Sequence, residues 1–237
     1  LAASKDGKGP IPAQQRAALT FETAQLWQQA GKPAFAKALL QHLLATEPVQ
    51  SELWSQTATA LVALSSTNAT STLALQNQIT TTLAPHFEGL SPVGQSLMIA
   101  SSVAVAEQAQ SQFVTIKLSN PLPVSLQQKQ ASLLEATERF EAILALEISP
   151  AYEQALYGLG QLKLEFAKAL MDSERPSGLS ELALEEYDML LEEQAFPFEE
   201  QGLAYHKLNL ERLWSGTNNQ YSRDSLKQLQ AYLPGQY

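Results

Sequence analysis

Gly31-Lys32-Pro33-Ala34-Phe35-Ala36-Lys37-Ala38-Leu39-Leu40-Gln41-His42-Leu43-Leu44-Ala45-Thr46-Glu47-Pro48 is the stretch whose reading decides the fold. Ala36, Leu39, Leu40, Leu43 and Leu44 recur at three- and four-residue spacing, which puts them on one face of a helix rather than on alternating faces of a strand. Both ends are punctuated. Gly31 closes whatever helix precedes it. Pro33 falls in the first turn of the new one, where its missing N–H has no intrahelical acceptor to lose. Glu47-Pro48 ends it, because the residue before a proline is pushed out of the helical region.

The same period extends outward in both directions. Upstream, a helix from about Ala13 to Ala30 carries Ala17, Leu19, Phe21, Ala24 and Trp27. Downstream, Leu53, Trp54, Ala58, Leu61 and Leu64 mark a third helix, broken by Ser65-Ser66-Thr67-Asn68. A Thr/Ser-rich fourth runs from about Thr70 to Leu83, and Pro85, Gly89 and Pro92 punctuate the next turn. A fifth, about Val93 to Gln112, is rich in Ala and Ser, which suits close approach inside a stack. Phe113-Val114-Thr115-Ile116-Lys117-Leu118 is the one strand-like run, with Pro121 and Pro123 after it; residues 113–123 therefore read as the largest internal loop or a hinge.

Helical spacing then resumes. Leu126, Leu133, Ala136, Phe140, Ile143 and Leu144 precede Ser149-Pro150; Tyr152, Leu156, Leu159, Gly160, Phe166 and Leu170 follow it. After the Arg175-Pro176-Ser177-Gly178 loop, one helix is expected to reach Phe196-Pro197 and another, with Leu203, His206, Leu210 and Leu213, to reach Ser215-Gly216. A last helix spans about Ser222 to Tyr232, before Pro234-Gly235. The expectation is an all-α chain of about ten helices: a leader over residues 1–12, a first half over 13–112, the hinge, and a second half over 124–237. Short connections make consecutive helices antiparallel neighbours.

The punctuation resembles the tetratricopeptide repeat, a unit of about 34 residues built from one helix pair. Ala24 and Trp27 fit the small and aromatic positions of its first helix. Gly31, Ala36, Leu40, Leu43 and Pro48 fit its turn, its small position, its large apolar positions and its closing proline. Trp54, Ala58 and Leu61 resemble the opening of a further unit, as do Leu156, Leu159 and Gly160, while Ala183, Tyr187 and Leu190 before Pro197 resemble a second half. Ala136 and Phe140 repeat the pattern with the proline two residues late, and residues 65–120 depart from it. The resemblance implies a degenerate, TPR-like solenoid of antiparallel helix pairs. It also implies a role in holding other proteins, without the Asn- and Lys-rich clamp that some members use for chaperone tails.

Composition narrows the partners. Charged residues are only 16% of the chain and the net charge is −9, which disfavours the polyanionic backbones of nucleic acids and anionic membrane surfaces. With no cysteine, thiolate catalysis, thiolate metal sites and disulfides are excluded. No stretch approaches the about 20 apolar residues of a membrane span. The chain opens at Leu1 with a polar leader. Together with the high Gln, Ser and Thr content, this gives the expectation of a periplasmic or otherwise extracytoplasmic protein, tethered upstream or by lipid as in a lipoprotein; the cytoplasm is the alternative.

No catalytic constellation stands out, and no metal or cofactor is expected. His42, His86 and His206 are far apart in sequence and fit no ligand spacing; Glu199 and Glu200 lie about two turns before His206. The strongest polar feature is acidic. Eight carboxylates lie between Glu181 and Glu200, with no Lys or Arg among them. Glu181, Glu185, Asp188 and Glu192 recur at i, i+4, i+7 and i+11 and so line one helix face, a candidate docking surface for a protein with a basic surface. The functional expectation is a non-catalytic interaction module, an adaptor or accessory subunit of a larger, membrane-associated bacterial envelope assembly. Two alternatives remain: a carbohydrate-active enzyme on a helical scaffold, which needs carboxylates facing across a cleft, and a subunit that self-assembles into a ring or filament.

Overall fold

The computed structural model describes residues 11–237; most of the expected leader, residues 1–12, lies outside the described residues. Among the described residues all regular structure is helical. Nine α-helices follow in order: α1 (Ala13–Gln29), α2 (Pro33–Thr46), α3 (Glu52–Ser65), α4 (Ala69–Leu83), α5 (Pro92–Thr115), α6 (Leu122–Leu144), α7 (Ala151–Met171), α8 (Glu181–Trp214) and α9 (Gln220–Tyr232), with a 3-10 helix over Ala84–Gly89. The chain divides into two compact units, one ending at Ser102 and the other spanning Val103–Tyr237, so the boundary falls inside α5.

In the first unit each helix packs on the next, α1 on α2, α2 on α3 and α3 on α4. The residues that end and start these helices account for the order. Gly31 takes φ 71°, which a side chain resists. That turn lets its N–H reach Gln28 O and the Lys32 N–H reach Trp27 O, satisfying the last carbonyls of α1 in the two-bond glycine cap. Ser51 and Asn68 accept backbone N–H bonds at the starts of α3 and α4 (3.1 and 2.9 Å). Ala24 and Ala36, both essentially inaccessible, cluster with Leu40 and Leu61, so α1 and α2 meet through small side chains. The Trp54 indole N–H donates to Leu44 O at 3.1 Å, using a carbonyl left free at the end of α2.

In the second unit α7 is the central element, in contact with α6, α8 and α9. Its buried residues include Leu156, Leu159, Leu162, Leu164, Phe166 and Leu170. Each such side chain contributes about 1.5–3 kcal/mol on burial. That outweighs the about 1 kcal/mol of helix propensity lost at each of Gly158 and Gly160. The two glycines are what allow the packing. A Cβ on Gly158 would lie 2.5 Å from the Phe140 ring, and one on Gly160 would lie 2.6 Å from His206 Nε2. Across the contact, a Cβ on Gly202 of α8 would lie 3.0 Å from the Gly160 carbonyl oxygen.

Two expectations are corrected here. Residues 113–115 belong to α5, not to a loop. Phe113 is wholly buried, 6.5 Å from the Phe166 ring, and the Lys129 ammonium donates to Phe113 O at 2.8 Å, so tertiary contacts override the strand-like local composition. The helix expected to stop at Phe196-Pro197 also continues: α8 runs unbroken through Pro197 for 34 residues. The proline costs about 3 kcal/mol locally. Buried residues on both sides of it, Leu191 and Ala195 before and Leu203 and Leu210 after, hold the helix together. This fusion makes the α-helices among the described residues nine instead of about ten.

Candidate functional site

The outward face of the first half of α8 is the most unusual surface in the second unit. It is built on a seven-residue repeat: Leu182-Ala183-Leu184-Glu185-Glu186-Tyr187-Asp188, Met189-Leu190-Leu191-Glu192-Glu193-Gln194-Ala195, Phe196-Pro197-Phe198-Glu199-Glu200-Gln201-Gly202. In each heptad the third residue is more buried than the first. Leu191 is buried, and Phe198 packs edge-on against Phe166 at 4.5 Å. The first residue points away: Leu182, Met189 and Phe196 are 67, 69 and 59% exposed. Glu185, Glu192 and Glu199 flank this apolar stripe on one side and Glu186, Glu193 and Glu200 on the other, all exposed. None of these six is in a salt bridge among the described residues. A groove of about 880 Å³ follows the face, lined by Met171, Met189, Leu190, Phe196 and the neighbouring glutamates.

The four acidic residues singled out from spacing divide into three environments. Glu185 and Glu192 lie on the exposed flank. Glu181 sits in the first turn, after the Ser180 hydroxyl that caps the helix, where a negative charge complements the helix dipole. Asp188 accepts a 2.6 Å bond from Arg175 Nε, and Arg175 also donates to Ser173 O, so this pair fastens the loop before α8. Spacing of carboxylates alone missed the apolar stripe between the glutamates. The signal was present as Leu182, Met189 and Phe196 recurring before each Glu-Glu pair, but apolar residues on a helix read by default as core.

A second polar cluster lies inside the unit, where α7, α8 and α9 meet. The Glu153 carboxylate is wholly buried and accepts from Ser149 Oγ (2.7 Å), Asn219 Nδ2 (3.2 Å) and Arg212 Nε. Burial pushes its carboxyl up, but the hydrogen bonds from Ser149 and Arg212 outweigh this and hold it below the usual carboxylate range. Asn209 Nδ2 donates to the Glu153 carbonyl (2.9 Å) and to Ser225 Oγ (3.0 Å). His206 is also buried, with Nδ1 3.0 Å from Ser225 Oγ and the Tyr157 ring edge-on at 5.5 Å. Burial lowers its pKa to about 4, so the ring is neutral at pH 7. Its hydrogen-bonding neighbours are Ser225 and Gln161, not Glu199 or Glu200. Apart from Asn209 Oδ1, which is buried without a hydrogen-bond partner among the described residues, the cluster's groups bond to one another, an arrangement that fastens α9 to α7 and α8.

His42 and His86 lie exposed in the first unit, His86 within 3.2 Å of Gln50 Nε2. Lys129 is buried, its pKa lowered by burial, and its ammonium lies 4.0 Å from the Phe113 ring centroid while capping the end of α5. Among the described residues no three His, Asp or Glu side chains converge as metal ligands would, and no helix is long and apolar enough to cross a membrane. No protein-family model, no curated protein and no solved structure matches the chain.

Proposed function

We propose that this all-helical chain is a non-catalytic protein-interaction module. In this reading it is a TPR-like adaptor or accessory subunit of a larger assembly, held in the bacterial envelope outside the cytoplasm. The observation that carries the proposal is the α8 face, which presents three apolar side chains to solvent between two rows of glutamates that make no salt bridge among the described residues. An exposed apolar stripe with a charged rim is what a docking surface requires. The packing of α1 on α2, α2 on α3, α3 on α4, α6 on α7, α7 on α8 and α8 on α9, and the small-residue contact of Ala24 with Ala36, favour a helix-pair repeat. The α8 glutamates stand in rows on one helix, and Glu153 is engaged in an ion pair, so neither set forms the facing pair of carboxylates that glycoside hydrolysis uses.

The test is site-specific photocrosslinking in cells that make the protein natively. A photoreactive residue at position 189 should give discrete protein adducts. The same residue at Leu134, an exposed leucine on α6, should not. Equal adduct patterns at the two positions, or none at 189, would sink the proposal.

A further inference from the structure

We propose that the occupant of the α8 face is a basic amphipathic helix with an apolar residue every seven positions and Lys or Arg beside it; this rests on the interaction-module reading above. The spacing specifies the partner's secondary structure. Leu182, Met189 and Phe196 repeat at seven residues, and each apolar position drifts by only about 20° around the helix per heptad. A second helix laid alongside matches that period, whereas an extended chain, with its two-residue alternation, does not. The stripe is about 21 Å long from Leu182 to Phe196, the length of about 14 helical residues.

Charge specifies the partner's sign. Six glutamates, two per heptad, border the stripe with no Lys or Arg on the helix between Glu181 and Glu200. They correspond to the flanking positions that set partner choice in paired helices. A second copy of this chain would set six glutamates against six in either orientation, and like charges across an interface reject a partner. A basic helix meets both rows at once.

The experiment uses the full chain and three labelled peptides of three heptads each. One places Leu at every seventh position between flanking Lys residues, one scrambles the same composition, and one replaces Lys by Glu. Fluorescence anisotropy at physiological salt should show the heptad peptide binding at least tenfold more tightly than the scrambled one and the acidic peptide not binding. The triple variant Leu182→Ser, Met189→Ser, Phe196→Ser should lose that preference, with circular dichroism confirming that it stays helical. Equal binding of heptad and scrambled peptides would reduce the face to a diffuse polyanion and overturn the inference. So would a dimer in sedimentation equilibrium that the triple variant abolishes, since the occupant would then be a second copy. Failure of the heptad peptide while position 189 still crosslinks would remove the helix and leave the docking surface. Failure of both would remove both.

Discussion

The Glu153 carboxylate has no exposed surface, whereas the Arg212 guanidinium that pairs with it is 38% exposed. One end of the ion pair is locked in the core and the other reaches water, with the Tyr152 ring 4.6 Å from the guanidinium. The asymmetry predicts which partner is costly to remove. Arg212→Ala leaves a buried carboxylate with only Ser149 and Asn219 as donors and should destabilise by about 2–3 kcal/mol in urea unfolding, below the full cost of a wholly buried pair because the cation is partly solvated. Glu153 itself titrates below its unfolded value of 4.5. Because the unfolded state then binds the proton more readily, this contribution is complete above pH 4.5 and is lost as pH falls through the folded value. Glu153→Gln should shorten that acid limb; an unchanged limb would mean that another carboxylate produces it.

His206 predicts a second, separate acid window. Its folded pKa of about 4 lies below the unfolded 6.5, so the neutral ring stabilises the fold above pH 6.5 and the contribution declines as pH falls toward 4. At about 1.4 kcal/mol per pKa unit the decline is of order 3 kcal/mol. Urea midpoints measured from pH 7 to 4 should slope for the wild type and flatten for His206→Asn. Parallel curves would show that the ring is more solvated than its burial implies.

Glycine positions should separate by what a methyl group meets. Gly158→Ala drives a Cβ to 2.5 Å from the Phe140 ring and should cost about 1–3 kcal/mol by overpacking. Gly89→Ala meets nothing within 4 Å and should be neutral or stabilise by about 0.4–1 kcal/mol through the unfolded chain. Thermal melts of the two variants check the sign of each.

Pro197→Ala restores the N–H donor in the middle of α8 and should raise the melting temperature, with a gain of up to about 3 kcal/mol. A loss would show that packing of the flanking turns depends on the proline's geometry.

Local punctuation made much of the chain legible. Gly31, Pro33 and Pro48 bound α2 within one or two residues of its observed ends because caps and prolines act over a single turn. The continuation of α8 through Pro197 was not legible, because the burial that holds the helix together, at Leu191, Ala195, Leu203 and Leu210, exists only once other helices pack against α8. Phe113 was misplaced for the same reason: its burial partners, Lys129 and Phe166, lie on other helices.

The candidate site shows the same division. The glutamates of α8 stand out in the sequence by their charge and by the absence of any Lys or Arg among them. Sequence alone therefore determined the helical character of the chain and the location of its acidic segment, since period and charge are local properties. Only the tertiary structure decided that Leu182, Met189 and Phe196 face water while Leu191 and Ala195 face the core. An apolar helix position is buried or exposed according to what packs beside it, and α7 covers one side of α8 and leaves the other open.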